Sequence, residues 1–119
     1  MKDGFPKELI QHIVEGIQMY AKHNGYTKLD KVILYKLEPG VMTVLLVVNG
    51  YEHELDLDGF DDETDEERQL RRGWQCENDS IYEEYWDELE KSFACDGIQV
   101  ICDEISKLIN VSQVTYEEE

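Results

Sequence analysis

Positive charge is what this chain has least of. Only 11 of its 119 residues are Lys or Arg, against 28 Asp or Glu, for a formal net charge of −17. The shortage is confined to one half. Residues 1–51 hold six lysines against five acids (Asp3, Glu8, Glu15, Asp30, Glu38), a net of +1. Residues 52–119 hold 23 acids against five bases (Arg68, Arg71, Arg72, Lys91, Lys107), a net of −18. DNA, RNA and anionic membranes are each recognised through a positive patch, so this balance argues against all three as direct partners.

Long apolar runs are missing too. The longest, Val44–Val48, falls far short of the roughly 18 residues of a membrane span and suits a buried strand. The opening Met1-Lys2-Asp3-Gly4-Phe5 lacks a signal peptide's apolar stretch, so a cytoplasmic location is expected. Three cysteines cannot all pair within one chain, in keeping with a reducing compartment. Cys76, Cys95 and Cys102 lack the close ligand spacing of zinc sites and read as buried structural thiols. Of the histidines, His53 falls on the inward side of a strand, whereas His12 and His23 read as surface positions.

Catalytic signatures are equally scarce. There is no nucleophile elbow, phosphate-binding glycine loop or zincin motif, so no catalytic residue is nominated and no cofactor is expected. A calcium loop fails in both registers. Counted from Asp56, position 5 is Phe60; counted from Asp61, position 6 is Glu66 and position 12 is Arg72.

What the chain does contain specifies a fold. Hydrophobic residues make up 41%, with two Trp, seven Tyr and three Phe, too many for a disordered polyanion. Pro6 suits the first position of a helix over about 6–23, with Ile10, Ile13, Val14, Ile17 and Tyr20/Ala21 at helical spacing and Asn24-Gly25 as the stop. Three strand-like runs follow, Lys31–Leu37, Val41–Val48 and Tyr51–Leu57, the last two joined by an Asn49-Gly50 hairpin signal. The middle run is apolar on both faces, which predicts a central, covered strand. Thr64-x-x-Glu67 and Ser80-x-x-Glu83 are capping boxes. The first predicts a short helix ending at Gly73, the second a helix to about Ala94 with Ile81 or Tyr82, Tyr85, Trp86, Leu89 and Phe93 inward. Asp96 is placed to cap a last helix that turns Ile98, Ile101, Cys102, Ile105, Leu108 and Ile109 inward. Val111–Tyr116 reads either as a returning strand or as a trailing segment. The expectation is one α+β domain over 1–116, ordered α-β-β-β-α-α-α with two or three helices after the meander, and a disordered acidic tail at 117–119.

The acids fall into a pattern on these elements. In the third strand Tyr51, His53, Leu55 and Leu57 alternate with Glu52, Glu54, Asp56 and Asp58, which places the four carboxylates on the solvent face about 6.6 Å apart. The row continues into Asp61, Asp62 and Glu63, and the helix after Ser80 adds Glu83, Glu84, Asp87, Glu88 and Glu90 opposite its aromatic stripe. That helix offers only Lys91 in compensation, although surface helices normally interleave Lys with Glu at i,i+4. Trp74, in a polar stretch beside this field, is a candidate interface anchor or a cover for the core edge.

In charge and size the chain resembles small inhibitors that imitate nucleic acid, among them anti-restriction and anti-CRISPR proteins of phages. Immunity proteins that neutralise basic nuclease toxins are similar in character. The resemblance is one of composition and carries no motif. It implies a non-enzymatic binding protein whose anionic surface occludes the basic groove of a nucleic-acid-handling protein. The alternatives are an immunity- or antitoxin-like partner of a basic toxin, a subunit of a larger assembly, or a divalent-cation-binding module.

Overall fold

A computed structural model describes residues 7–38, 41–55, 57, 62–93 and 97–118. Helix α1 spans Lys7–Asn24, followed by strands β1 (Lys31–Glu38), β2 (Val41–Val48) and β3 (Tyr51–Glu54). Helices α2 (Asp65–Phe93) and α3 (Gly97–Ile109) come next, and strand β4 (Val114–Glu118) closes the chain. Pro6, Pro39-Gly40, Cys95 and Asp96 lie outside the described residues.

The expected apolar stripe builds α1: Leu9, Ile10, Ile13, Val14 and Ile17 are all buried. The helix stops where Asn24-Gly25 predicted. Gly25 adopts φ +72°, which reverses the chain, and the Tyr26 amide donates to the Ala21 carbonyl at 2.8 Å. The β2–β3 hairpin also follows its sequence. Asn49 and Gly50 both take positive φ, 53° and 86°, as a two-residue turn requires.

The sheet order is β3-β2-β1-β4, with β4 parallel to β1. Of the disordered acidic tail expected at 117–119, Glu117 pairs with Tyr35 and Glu118 with Lys36 as part of β4, and Glu119 lies outside the described residues. Without β4, β1 would be an edge with a row of unpaired backbone groups. Val114 and Tyr116, on the same face as Val32 and Leu34, fasten the strand to the core.

One face of the sheet is covered. Val32, Leu34, Val44, Leu46 and Val114 join a single hydrophobic cluster with α1, with Leu89 of α2 and with Ile101, Cys102 and Ile105 of α3. The opposite face, with Leu45 and Val47, is not part of that cluster. Among the described residues, the helices thus cover one side of the apolar middle strand, and the fold is a helix layer on a sheet. Two inward expectations fail at the margins. Tyr51, on the edge strand, is 73% exposed, and Leu108, in the last turn of α3, is 49% exposed. Neither position is covered by the helix layer.

The two helices expected between 64 and 94 are one. The Thr64 capping box forms as predicted: the Glu67 amide donates to Thr64 Oγ1 at 3.1 Å and the Thr64 amide donates to Glu67 Oε1 at 2.9 Å. Gly73 does not end the helix, because termination there needs a left-handed glycine and Gly73 keeps a negative φ. The helix continues through Ser80 for 29 residues, which at about 1.5 Å each matches the molecule's longest extent of 42 Å.

Tertiary contact with α1 overrides the glycine. His12 faces Asn78 and Gly16 faces Trp74, so the helices run antiparallel. The Trp74 ring lies on Gly16, and a Cβ there would sit 2.5 Å from Trp74 Cζ2. We therefore predict opposite effects of one methyl group at the two glycines. Gly16→Ala should destabilise by about 1–3 kcal/mol through overpacking, despite its helix-propensity gain. Gly73→Ala, with nothing within 4 Å of the new methyl, should stabilise by about 0.5–1 kcal/mol. Urea denaturation of both variants checks the pair.

Candidate anionic interface

Trp74 is not a free anchor. Its ring stacks on His12 with centroids 4.2 Å apart and planes within 6°, and its indole N–H donates to the His12 carbonyl at 2.7 Å. It holds α2 against α1. His12 itself, expected at the surface, is 2% exposed. It occupies the α1 face shared by Leu9 and Gly16, three residues before it and four after. That spacing is the signal that could have placed it inside. The Asn78 Oδ1 oxygen accepts from His12 Nε2 at 2.8 Å, which leaves Nδ1 as a buried nitrogen with no hydrogen-bond partner.

Two of the five bases of the acidic half, Arg68 and Arg71, are committed at the start of α2. Arg71, 7% exposed, donates from Nε and Nη2 to Glu63 at 2.9 and 2.6 Å and from Nη1 to the Leu57 carbonyl at 3.2 Å. Arg68 also donates to Glu63, at 3.2 Å, and lies 3.6 Å from Asp65. Glu63 is thus an internal strut, with a side chain only 4% exposed, and leaves the list of surface carboxylates. The Arg71 hydrogen bond, helped by Arg68, holds its carboxyl down at about 2.

Beyond this cluster the charge is uncompensated. From Glu77 to Glu90, α2 carries Glu77, Asp79, Glu83, Glu84, Asp87, Glu88 and Glu90 and no base. All but Glu88 are exposed, and none makes an ion pair among the described residues. Asp79, Glu83, Asp87 and Glu90 recur at i, i+4, i+8 and i+11, a stripe along one flank with about 6 Å between its first members. Asp79 lines an open cleft of about 480 Å³ together with Glu54, so this flank meets the β3 edge. Glu77, Glu84 and Glu88 sit on the other flank, beside α1. Glu77 lies near His12, and Tyr85, next to Glu84, hydrogen-bonds Glu8.

The expected ladder on the third strand is shorter than its spacing suggested. β3 has four residues, so its carboxylates are Glu52 and Glu54, both exposed on the face opposite the helices. Asp56, Asp58 and Asp61 lie outside the described residues, and Asp62 is an exposed turn residue at φ +56°. The structure thus brings Glu54 to the Asp79–Glu83–Asp87 flank, removes Glu63 into a buried pair, and separates Glu84 and Glu88 from it. Glu90, expected on the acidic face of this helix, lies on the same flank, whereas Asp79 was missed because a helix starting at Ser80 excluded it.

Cys102 is buried, with burial pushing its thiol up to about 11, whereas Cys76 is exposed on α2, contrary to the expectation of a buried thiol. His53 is half-buried against Tyr26, ring centroids 5.3 Å apart. Among the described residues no group of three or more His, Cys, Asp or Glu is arranged to hold a metal ion, and no helix is long and apolar enough to cross a membrane. Comparison with protein-family models, curated proteins and solved structures finds no match.

Two pH dependences follow. Burial lowers the affinity of His12 for its proton, while Asn78 and the nearby Glu77 and Glu15 partly restore it. Between the ordinary value of 6.5 and the lower native value the unfolded chain binds the extra proton. His12 therefore contributes stability that is lost as pH falls below about 6.5, and His12→Phe should flatten that part of the stability–pH curve. Glu63 acts at lower pH. Its contribution is present above 4.5 and disappears as pH falls towards about 2, so Glu63→Gln should lower the melting temperature at neutral pH and make the acid-side slope shallower. Thermal melts from pH 7 to 2 test both.

Proposed function

We propose that this protein is a non-enzymatic binding protein whose anionic surface occludes a basic groove on a nucleic-acid-handling protein. The observation that carries the reading is the Glu77–Glu90 segment of α2, seven carboxylates without a base on a helix held rigidly to α1. Folding alone does not favour such a segment, because like charges at i,i+4 oppose helix formation. A surface that meets lysines and arginines explains why it is kept. The regular stripe Asp79–Glu83–Asp87, continued at the β3 edge by Glu54, presents a basic groove with evenly spaced negative charge of the kind a phosphate backbone offers. Its field raises association rates by roughly 10- to 1,000-fold at low salt.

Affinity capture on the full chain, followed by identification of bound proteins, tests the reading. Retained proteins should be basic nucleic-acid-handling proteins, released as salt rises. The triple reversal Asp79→Lys, Glu83→Lys, Asp87→Lys should abolish capture while leaving the melting temperature unchanged or raised. Capture indifferent to both salt and charge reversal would refute it.

A further inference from the structure

The face of the sheet turned away from the helices has a composition of its own. Lys31, Ile33 and Tyr35 of β1 lie beside Val47, Leu45 and Thr43 of β2, and Glu52 and Glu54 of β3 lie beside Val47 and Leu45. On the other side Thr115 and Glu117 of β4 lie beside Ile33 and Tyr35. Every described helix packs on the opposite face, and Leu57, which follows β3, turns towards α2 through the Arg71 hydrogen bond to its carbonyl. The result is an apolar centre of Ile33, Leu45 and Val47, continued by Tyr35, between exposed acids on the two edge strands. Ile33, at 4% exposure, is its floor, and Leu45 and Val47 are half-buried.

We infer that this face is a second docking surface, and that its occupant is a basic amphipathic helix of a partner protein, laid along the strands with its apolar ridge on Leu45 and Val47. The inference goes beyond the α2 surface and does not depend on it. Three considerations select the occupant. The acid-bearing edges, β3 and β4, are three strand spacings apart, about 14 Å, which admits a helix of about 10–12 Å diameter. The rim carries Glu52 and Glu54 on one side and Glu117 on the other, so the helix needs Lys or Arg on both flanks of its apolar ridge. Among the described residues Lys31 is the single base on this face and sits at one end, opposite Val47, so the complementary charges belong nearer Glu54 and Glu117. A second copy of the chain is disfavoured, because it would set the same acids against each other on two molecules each carrying −17. An apolar centre with a charged rim is also the composition of a specific interface core, which the α2 stripe lacks.

The probe is a synthetic 14-residue helix with leucines along one stripe and lysines on both flanks, titrated into the full chain labelled at its methyl groups. Saturable binding should shift the Ile33, Leu45 and Val47 methyl resonances. A scrambled peptide of identical composition should not shift them, and a Gln-for-Lys version should bind about tenfold more weakly. Val47→Arg should abolish the response, and Glu52→Lys with Glu117→Lys should weaken it about tenfold without touching the apolar centre or the α2 stripe. Shifts confined to the α2 segment, equal binding of the scrambled peptide, or concentration-dependent shifts of the same methyls without peptide would each overturn the assignment, the last by giving the face to a second copy. None of these outcomes alters the capture experiment on the α2 stripe.

Discussion

The docking of α2 on α1 is the contact on which the rest of this molecule depends. A 29-residue helix with a glycine inside it and seven unrelieved carboxylates in its second half has little reason to form alone. It forms because Trp74 is fixed from three directions: stacked on His12, hydrogen-bonded to the His12 carbonyl, and seated on the bare backbone of Gly16. Asn78 repeats the tie one turn later through His12 Nε2, and Leu89 inserts into the core near the far end. Each fastening lies on one side of the helix, which leaves the solvent arc free to carry charge. The same arrangement gives α2 a rigid axis, so the spacing of Asp79, Glu83 and Asp87 is a fixed property of the surface.

Compensating charge is spent where the chain changes layer. Leaving β3, the backbone crosses from the sheet edge to the start of α2, and Arg71 bridges both ends of that crossing by bonding the Leu57 carbonyl and Glu63 together. A buried guanidinium needs its donors satisfied, and Glu63 with Leu57 and Gln75 meets that need. Arg68 joins the same carboxylate. Cation and anion neutralise one another at this joint, whereas from Glu77 to Glu90 no base follows at all. The division of labour is physical: carboxylates near arginines hold the fold, and carboxylates far from them define the outer surface.

The parts legible from sequence were those governed by short-range rules. Asn24-Gly25, Asn49-Gly50 and the Thr64 capping box each produced the turn or cap their chemistry demands, because the determining interactions span four residues or fewer. The α+β architecture followed from strand and helix periodicity. What could not be read depended on distant contacts. Gly73 and the Ser80 capping box describe a break that Trp74 and Asn78 prevent, and those residues act through α1, more than sixty positions away. His12 looked like a surface residue until a tryptophan covered it. β4 was ambiguous because a polar segment becomes a strand only when β1 offers an unpaired edge. At the candidate interface the types of residue were legible, whereas their grouping was not: Glu63 belonged to an arginine, and Asp79 belonged to the stripe.

Electrostatics and packing therefore assign different tasks to the two faces. A carboxylate stripe attracts a basic partner from a distance and aligns it, but its charges stay hydrated and supply rate more than affinity. Durable binding needs apolar area withdrawn from water, and the described exposed surface offers that most coherently on the sheet face around Leu45 and Val47. Glu54 belongs to both regions, on the sheet face by register and in the cleft with Asp79 by position. The two proposed docking surfaces therefore adjoin at Glu54. The proposed function makes use of the net charge of −17, and the α1–α2 joint and the Glu63–Arg71 strut fix the helix that carries much of it.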